Sequence, residues 1–144
     1  MEPNEFKNFF CLLIAAGNDT TRYSIAMALY QLTLNNNLIS DLRSNQYWGT
    51  CADEFIRLAS PTMYFRRTAT CDVSLQDKKI KKGDKVILWF VSGNRDREVF
   101  QNPHNVILSR SPNPHVSFGQ GGVHFCLGIW LARMEVRILL EELT

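Results

Sequence analysis

The run Phe118-Gly119-Gln120-Gly121-Gly122-Val123-His124-Phe125-Cys126-Leu127-Gly128 gathers glycines, a histidine and a cysteine into one short stretch. Glycine lets a backbone pass close to a flat ligand, because it adds no Cβ and tolerates positive φ. The stretch ends in Cys126, where a helix is expected to begin. A helix N-terminus carries partial positive charge and free N–H groups, which favour a thiolate and hydrogen-bond its sulfur. A cysteine so placed suits a thiolate ligand, and a thiolate on haem iron donates electron density that favours O–O cleavage. Two other chemistries meet this loop less well. A phosphate cradle would want the lysine of G-x-x-x-x-G-K-[ST], which does not follow. A zinc site would want a second Cys/His pair at ligand spacing beside His124 and Cys126, and none is present.

Three further groups carry polar chemistry at suggestive spacing. Ala16-Gly17-Asn18-Asp19-Thr20-Thr21 interrupts an apolar run with small and hydrogen-bonding residues. Glu54 and Arg57 stand at i and i+3, so on a helix they share a face and can form an ion pair. Arg66 and Arg67 lie together in a stretch with strand character. His104 and His115 read as loop hydrogen-bonders rather than ligands. Cys11, Cys51 and Cys71, in helix or strand contexts, read as inert small side chains.

The elements that must position these groups are legible in the periodicity. From Glu5 to Tyr30 there is no proline, and Phe6, Phe9, Phe10, Leu13 and Ala16 recur at helical spacing, which predicts one long helix. Gly17, Asn18, Asp19 and Thr20 are poor helix formers, so the helix is expected to kink or open there. Asn35-Asn36-Asn37 marks a break, and a short helix is predicted over 38–44. Thr50-x-x-Asp53 resembles a capping box ahead of a compact helix over 52–59, which Ser60-Pro61 should end. Short strands are predicted over 64–70, 72–75 and 85–91, with turns at Asp77-Lys78 and Lys82-Gly83-Asp84. Residues 92–125 read as a long loop, which in a compact domain is usually functional. The segment from Leu127 to Leu143 is helical, with Leu127, Leu131, Met134 and Ile138 along one stripe.

Composition narrows the classes. The chain has 144 residues, 45% of them hydrophobic, with 16 basic and 14 acidic side chains and a formal charge of +2. That excludes collagen, low-complexity disorder and a disulfide-dense scaffold. The near balance of charge gives no electrostatic case for nucleic acid. Four cysteines without a C-x-x-C pair suit a reducing compartment, and the longest apolar stretch, Phe9 to Ala16, is too short to span a bilayer. The expectation is a cytoplasmic protein with no membrane segment and one domain over 1–144.

Taken together and in this order, the motifs resemble the cytochrome P450 family of haem-thiolate monooxygenases. The loop ending in Cys126 is similar to the family's haem-binding motif. Ala16-Gly17-Asn18-Asp19-Thr20 resembles the oxygen-activation groove of its long distal helix, Glu54-Phe55-Ile56-Arg57 its E-x-x-R pair, and Phe65-Arg66-Arg67-Thr68-Ala69 the region of a haem-propionate arginine. The resemblance implies a mainly α fold with a small β portion, running from distal helix to proximal helix. It implies haem as cofactor, with Cys126 as iron ligand, His124 and Arg66 on the propionates, and Phe118 and Gly119 in the haem-binding loop. Ala16 and Gly17 would leave room for oxygen and substrate, Thr20 would hydrogen-bond dioxygen, and Asp19 would gate protons. Glu54 and Arg57 would form a structural ion pair on the proximal side.

The implied reaction is insertion of one oxygen atom of dioxygen into a hydrophobic substrate. Electrons would come from NAD(P)H through a ferredoxin reductase and a ferredoxin docking near Arg133 and Arg137. The alternative is a truncated, non-catalytic haem-binding remnant. Two departures stand out. The loop holds one residue more between Phe118 and Cys126 than the family's commonest form. Asn105 falls where a third charged partner for Glu54 and Arg57 is expected after Pro103. The family is also roughly three times as long as this chain, so residues 1–144 alone are not expected to support coupled turnover.

Overall fold

The computed structural model describes residues 1–44 and 47–144. Helix α1 runs over Pro3–Leu34, α2 over Asn37–Arg43 and α3 over Cys51–Ala59. Four short strands follow, β1 (Tyr64–Thr68), β2 (Val73–Leu75), β3 (Lys78–Ile80) and β4 (Lys85–Trp89), then a one-turn helix α4 (Phe90–Gly93) and a terminal helix α5 (Ile129–Leu143). β1 pairs antiparallel with β4 and β2 with β3, giving two separate ribbons. The molecule is therefore mainly helical, with a small β portion.

The core lies where α1, α2, α3 and α5 converge. Ala28 and Leu32 from α1, Leu38 and Leu42 from α2, Phe55 and Ile56 from α3, and Val136 and Leu140 from α5 are all buried. Phe6, Phe9, Phe10 and Leu13 on the first half of α1 remain exposed. Leu140 of α5 is wholly buried at the centre of this core.

Four local expectations are corrected. Helical structure runs unbroken through Gly17–Thr21 rather than opening, and Thr20 Oγ1 donates to the Ala16 carbonyl at 2.7 Å inside the same helix. Such back-bonding to the i−4 carbonyl tends to bend a helix, yet the segment stays helical. A strand at Lys78–Ile80 was missed because two lysines and one isoleucine are too short a run to show alternation, and pairing with β2 defines it. Cys71 lies in a bend between β1 and β2 rather than in a strand. The capping box at Thr50 does not form. Thr50 makes no side-chain cap, its Oγ1 donating instead to the carbonyls of Tyr47 and Leu108, and Asp53 is engaged elsewhere.

The stop at Ser60-Pro61 holds in an unexpected form. Ser60 takes a left-handed conformation (φ 44°, ψ 57°) as the C-cap of α3, its N–H bonded to the Ile56 carbonyl. A non-glycine residue there is strained. Its buried hydroxyl is held between the Arg57 carbonyl, to which it donates at 2.7 Å, and Asn94 Nδ2 at 2.9 Å.

Candidate functional site

The most tightly determined part of the molecule is a buried ionic node on α3. Glu54 and Arg57 are both fully buried, joined by Arg57 Nε to Oε2 at 2.9 Å and Nη2 to Oε1 at 2.8 Å. Such a pair repays its desolvation only when the remaining donors and lone pairs are satisfied. Here they are. Arg57 Nη1 donates to the carbonyls of Asn94 and Pro103, and Nη2 to that of Asn105. Glu54 also accepts from the Ile107 N–H, from Arg110 Nε at 2.9 Å and from Asn113 Nδ2. Both guanidiniums lie about one ring-width from Phe100, at 5.0 and 5.7 Å from its centroid. Burial alone would raise the Glu54 carboxyl, but the Arg57, Ile107 and Arg110 hydrogen bonds outweigh it and hold the group below its ordinary range.

This node answers the Asn105 question. The third charged partner is Arg110, five residues further on, and Asn105 contributes its backbone carbonyl. Sequence reasoning missed Arg110 because the contact spans 56 positions through a loop with no periodicity. The buried Asn94 is the second missed residue. Its side chain links Ser60, Ser117 and the Val116 N–H, fastening the end of α3 to the segment leading into the glycine loop.

The loop itself runs from Phe118 to Cys126 and closes with the Cys126 N–H donating to the Phe118 carbonyl at 3.0 Å. Gly119, Gly121 and Gly122 have φ of 83°, 63° and 75°, which a residue with a Cβ adopts only at a cost. A Cβ built on any of them meets nothing within 4 Å, so backbone conformation rather than space makes glycine the fitting residue there. Cys126 is half-buried and free, while Cys11 and Cys71 are exposed. Cys51 is buried, and burial pushes its thiol up to about 11. α5 begins at Ile129 after Gly128, slightly later than expected, so Cys126 precedes the helix rather than opening it. A cavity of about 140 Å³ behind the loop is lined by Asn113, His115, Phe118, Gly119, Ile129 and Arg133, and is too small for a cofactor.

The remaining predicted residues sit on separate elements. His124 is exposed within the loop. Arg66 and Arg67 are neighbours on β1, paired with Ile87 and Val86 of β4, so alternation sends them to opposite faces. Arg67 stacks on Phe65, 5.5 Å from its centroid. Ala16, Gly17, Asp19 and Thr20 are on α1, with Asp19 in an exposed contact of 3.4 Å with Arg22. Arg133 and Arg137 on α5 are both paired, with Asp53 at 2.7 Å and Glu141 at 3.4 Å.

Among the described residues no three His, Cys, Asp or Glu side chains cluster to hold a bare metal ion. A lone half-buried cysteine on a glycine loop fits a different partner, a metal that brings its own planar ligand set and lacks one axial donor. That is the donor set haem requires.

Comparison with known proteins agrees. The cytochrome P450 family model matches residues 1–143, and the chain belongs to that family, whose members use haem. It is 41% identical to the methyl-branched lipid omega-hydroxylase of Mycobacterium tuberculosis over 99% of this chain and 34% of that protein. It is likewise 41% identical to the steroid C26-monooxygenase of Mycolicibacterium smegmatis, over 100% of this chain and 34% of the relative. The crystal structure of CYP109E1 from Bacillus megaterium in complex with corticosterone superposes with a TM-score of 0.92 at 37% identity, covering 99% of this chain and 39% of that one. The chain thus spans about a third of the length of the curated relatives it matches. No described helix is long and apolar enough to cross a membrane.

Proposed function

We propose that this chain forms the haem-holding part of a monooxygenase, with Cys126 as the thiolate ligand. The observation that carries the reading is the loop closure, a free half-buried cysteine fastened to Phe118 across glycines at positive φ. Haem so ligated supplies activation of dioxygen, one atom entering the substrate C–H bond and the other leaving as water at the cost of two electrons and two protons. His124 and Arg66 pair with the propionates, where a cation matches a carboxylate. Phe118 and Gly119 form the near wall of the haem-binding loop. Ala16 and Gly17 leave space on the distal helix. Thr20 offers a hydroxyl and Asp19 a carboxylate for proton delivery, while Glu54 and Arg57 act structurally.

The substrate class is a hydrophobic molecule, for which the lipid- and steroid-oxidising relatives are the support. The electron donor is a ferredoxin served by an NAD(P)H-dependent reductase, in the cytoplasm. Residues 1–144 act as a single partial domain. The intact Asp19, Thr20, Glu54, Arg57 and Cys126 favour this reading over a non-catalytic remnant.

The test is the reduced, carbon-monoxide-bound spectrum of the haem-loaded protein. Cys126→Ala should abolish the red-shifted Soret band of thiolate ligation, while Cys11→Ala, Cys51→Ala and Cys71→Ala keep it. Loss of the band in one of those three, with its retention in Cys126→Ala, would overturn the assignment.

A further inference from the structure

Asp53 precedes the ionic node but takes no part in it. Its Oδ1 receives two donors from elements far apart in sequence, His115 Nε2 at 3.1 Å and Arg133 Nε at 2.7 Å. The His115 tautomer follows from its other nitrogen. Nδ1 accepts the Ser117 N–H at 3.3 Å, so the ring proton sits on Nε2 and is donated to Asp53. The His115 side chain is almost wholly buried. Both groups that Asp53 holds lie against one aromatic ring. The His115 ring is 5.5 Å from that of Phe118, and the Arg133 guanidinium is 5.5 Å from the same centroid. Phe118 in turn supplies the carbonyl that fastens the Cys126 N–H.

We infer that Asp53 is a positioning residue for the cysteine loop, holding His115 and Arg133 against Phe118 and thereby fixing the carbonyl that anchors Cys126. This rests on the loop reading above but not on the identity of what Cys126 binds. The sequence supports it negatively, since Asp53 sits at a capping-box position and forgoes the cap. A charged hydrogen-bond acceptor shared by two donors resists rotation of either, and it acts beside the backbone bonds from Gly119 N–H to Val116 and from Phe125 N–H to Gly122 that also order the loop. The glycines at positive φ make no side-chain contacts of their own.

The test compares Asp53→Ala and Asp53→Glu with the parent protein. In apoprotein, the rate at which a thiol reagent labels Cys126 reports loop opening, and labelling of the buried Cys51 reports general loosening. Asp53→Ala should raise Cys126 labelling by about tenfold, the factor one charge-assisted hydrogen bond is worth, with Cys51 unchanged. Asp53→Glu, which keeps the carboxylate, should restore a rate near the parent's. In haem-loaded protein, Asp53→Ala should also convert part of the carbon-monoxide-bound Soret band from the thiolate to the thiol position. Unchanged Cys126 labelling in Asp53→Ala, or a parallel rise at Cys51, would overturn the role. If Cys126→Ala leaves the spectrum intact while Asp53→Ala still opens the loop, it is the haem assignment that fails and the positioning role that stands.

Discussion

Glu54 and Asp19 are both carboxylates on helices that flank the proposed haem site, and they live in opposite worlds. Glu54 is fully buried and receives Arg57, Arg110, Asn113 and the Ile107 amide. Asp19 has one long contact with Arg22, and its side chain is 81% exposed. The contrast extends to whole regions. Around α3 the Glu54 and Arg57 side chains are fully hydrogen-bonded and the apolar ones are packed, whereas the first half of α1 carries Phe6, Phe9, Phe10 and Leu13 in the open. Stability in this molecule is thus concentrated on the side that holds the cysteine loop. The distal residues proposed to handle oxygen and protons contribute little to holding the fold together, so substitution there should change chemistry without changing stability.

The largest expected effect comes from breaking the ordered side. Glu54→Gln leaves two buried guanidiniums without their counter-charge and should cost about 3–5 kcal/mol, read as a lower denaturant midpoint at unchanged slope. A midpoint shift no larger than that of an exposed carboxylate variant would contradict the node's importance.

A related effect follows from pH. Glu54 and Asp53 are both held below their unfolded values. Burial opposes this, but in Glu54 the Arg57, Ile107 and Arg110 bonds win, and in Asp53 the His115 and Arg133 bonds do. A depressed carboxyl contributes stability that is present above its unfolded pKa and lost as pH falls through the folded one. Thermal stability should therefore decline on acidification below the ordinary carboxylate range, and Asp53→Asn should shallow that decline. A decline of equal steepness in both proteins would remove Asp53 from the account.

Smaller again is the expected difference between neighbouring arginines. Because β1 alternation sends Arg66 and Arg67 to opposite faces, only one can meet a propionate. Arg66→Ala should weaken haem retention by about tenfold, the scale of one charge-assisted hydrogen bond, while Arg67→Ala leaves it near the parent value. The reverse order would move the propionate role to Arg67. The smallest stability effect belongs to Thr20→Ala. It removes one hydroxyl bonded within its own helix and should cost under about 1 kcal/mol, yet in a turnover-competent protein containing these residues it should divert reducing equivalents from product to hydrogen peroxide. Unchanged coupling would contradict the proton-delivery role.

The same contrast explains what was legible in the sequence. Glu54 with Arg57, and the glycine loop with Cys126, are local patterns, and spacing alone places them. Arg110 and Asn94 reach their partners through loop segments, so no periodicity marks them. Asp53 was misread for a physical reason. A carboxylate three residues after a threonine fits a helix cap, but a buried histidine and an arginine from α5 outbid the backbone amide for it. The β2–β3 ribbon was half-missed because Lys78 and Lys79 are exposed and polar and leave Ile80 alone with no alternation to read, so that pairing defines the strand. At Thr20, helix propensity pointed toward an opening, but the segment is continuous helix within the 32-residue α1.

Native-state hydrogen exchange on residues 1–144 tests the central asymmetry most directly, because it reads local opening free energy residue by residue. The account predicts the slowest amides in α3 and in the buried segments of α1 and α5 around Ala28 and Val136. Residues 5–21 of α1 should exchange orders of magnitude faster, despite lying in the same continuous helix as Ala28. Uniform protection along α1, equal to that of α3, would contradict it.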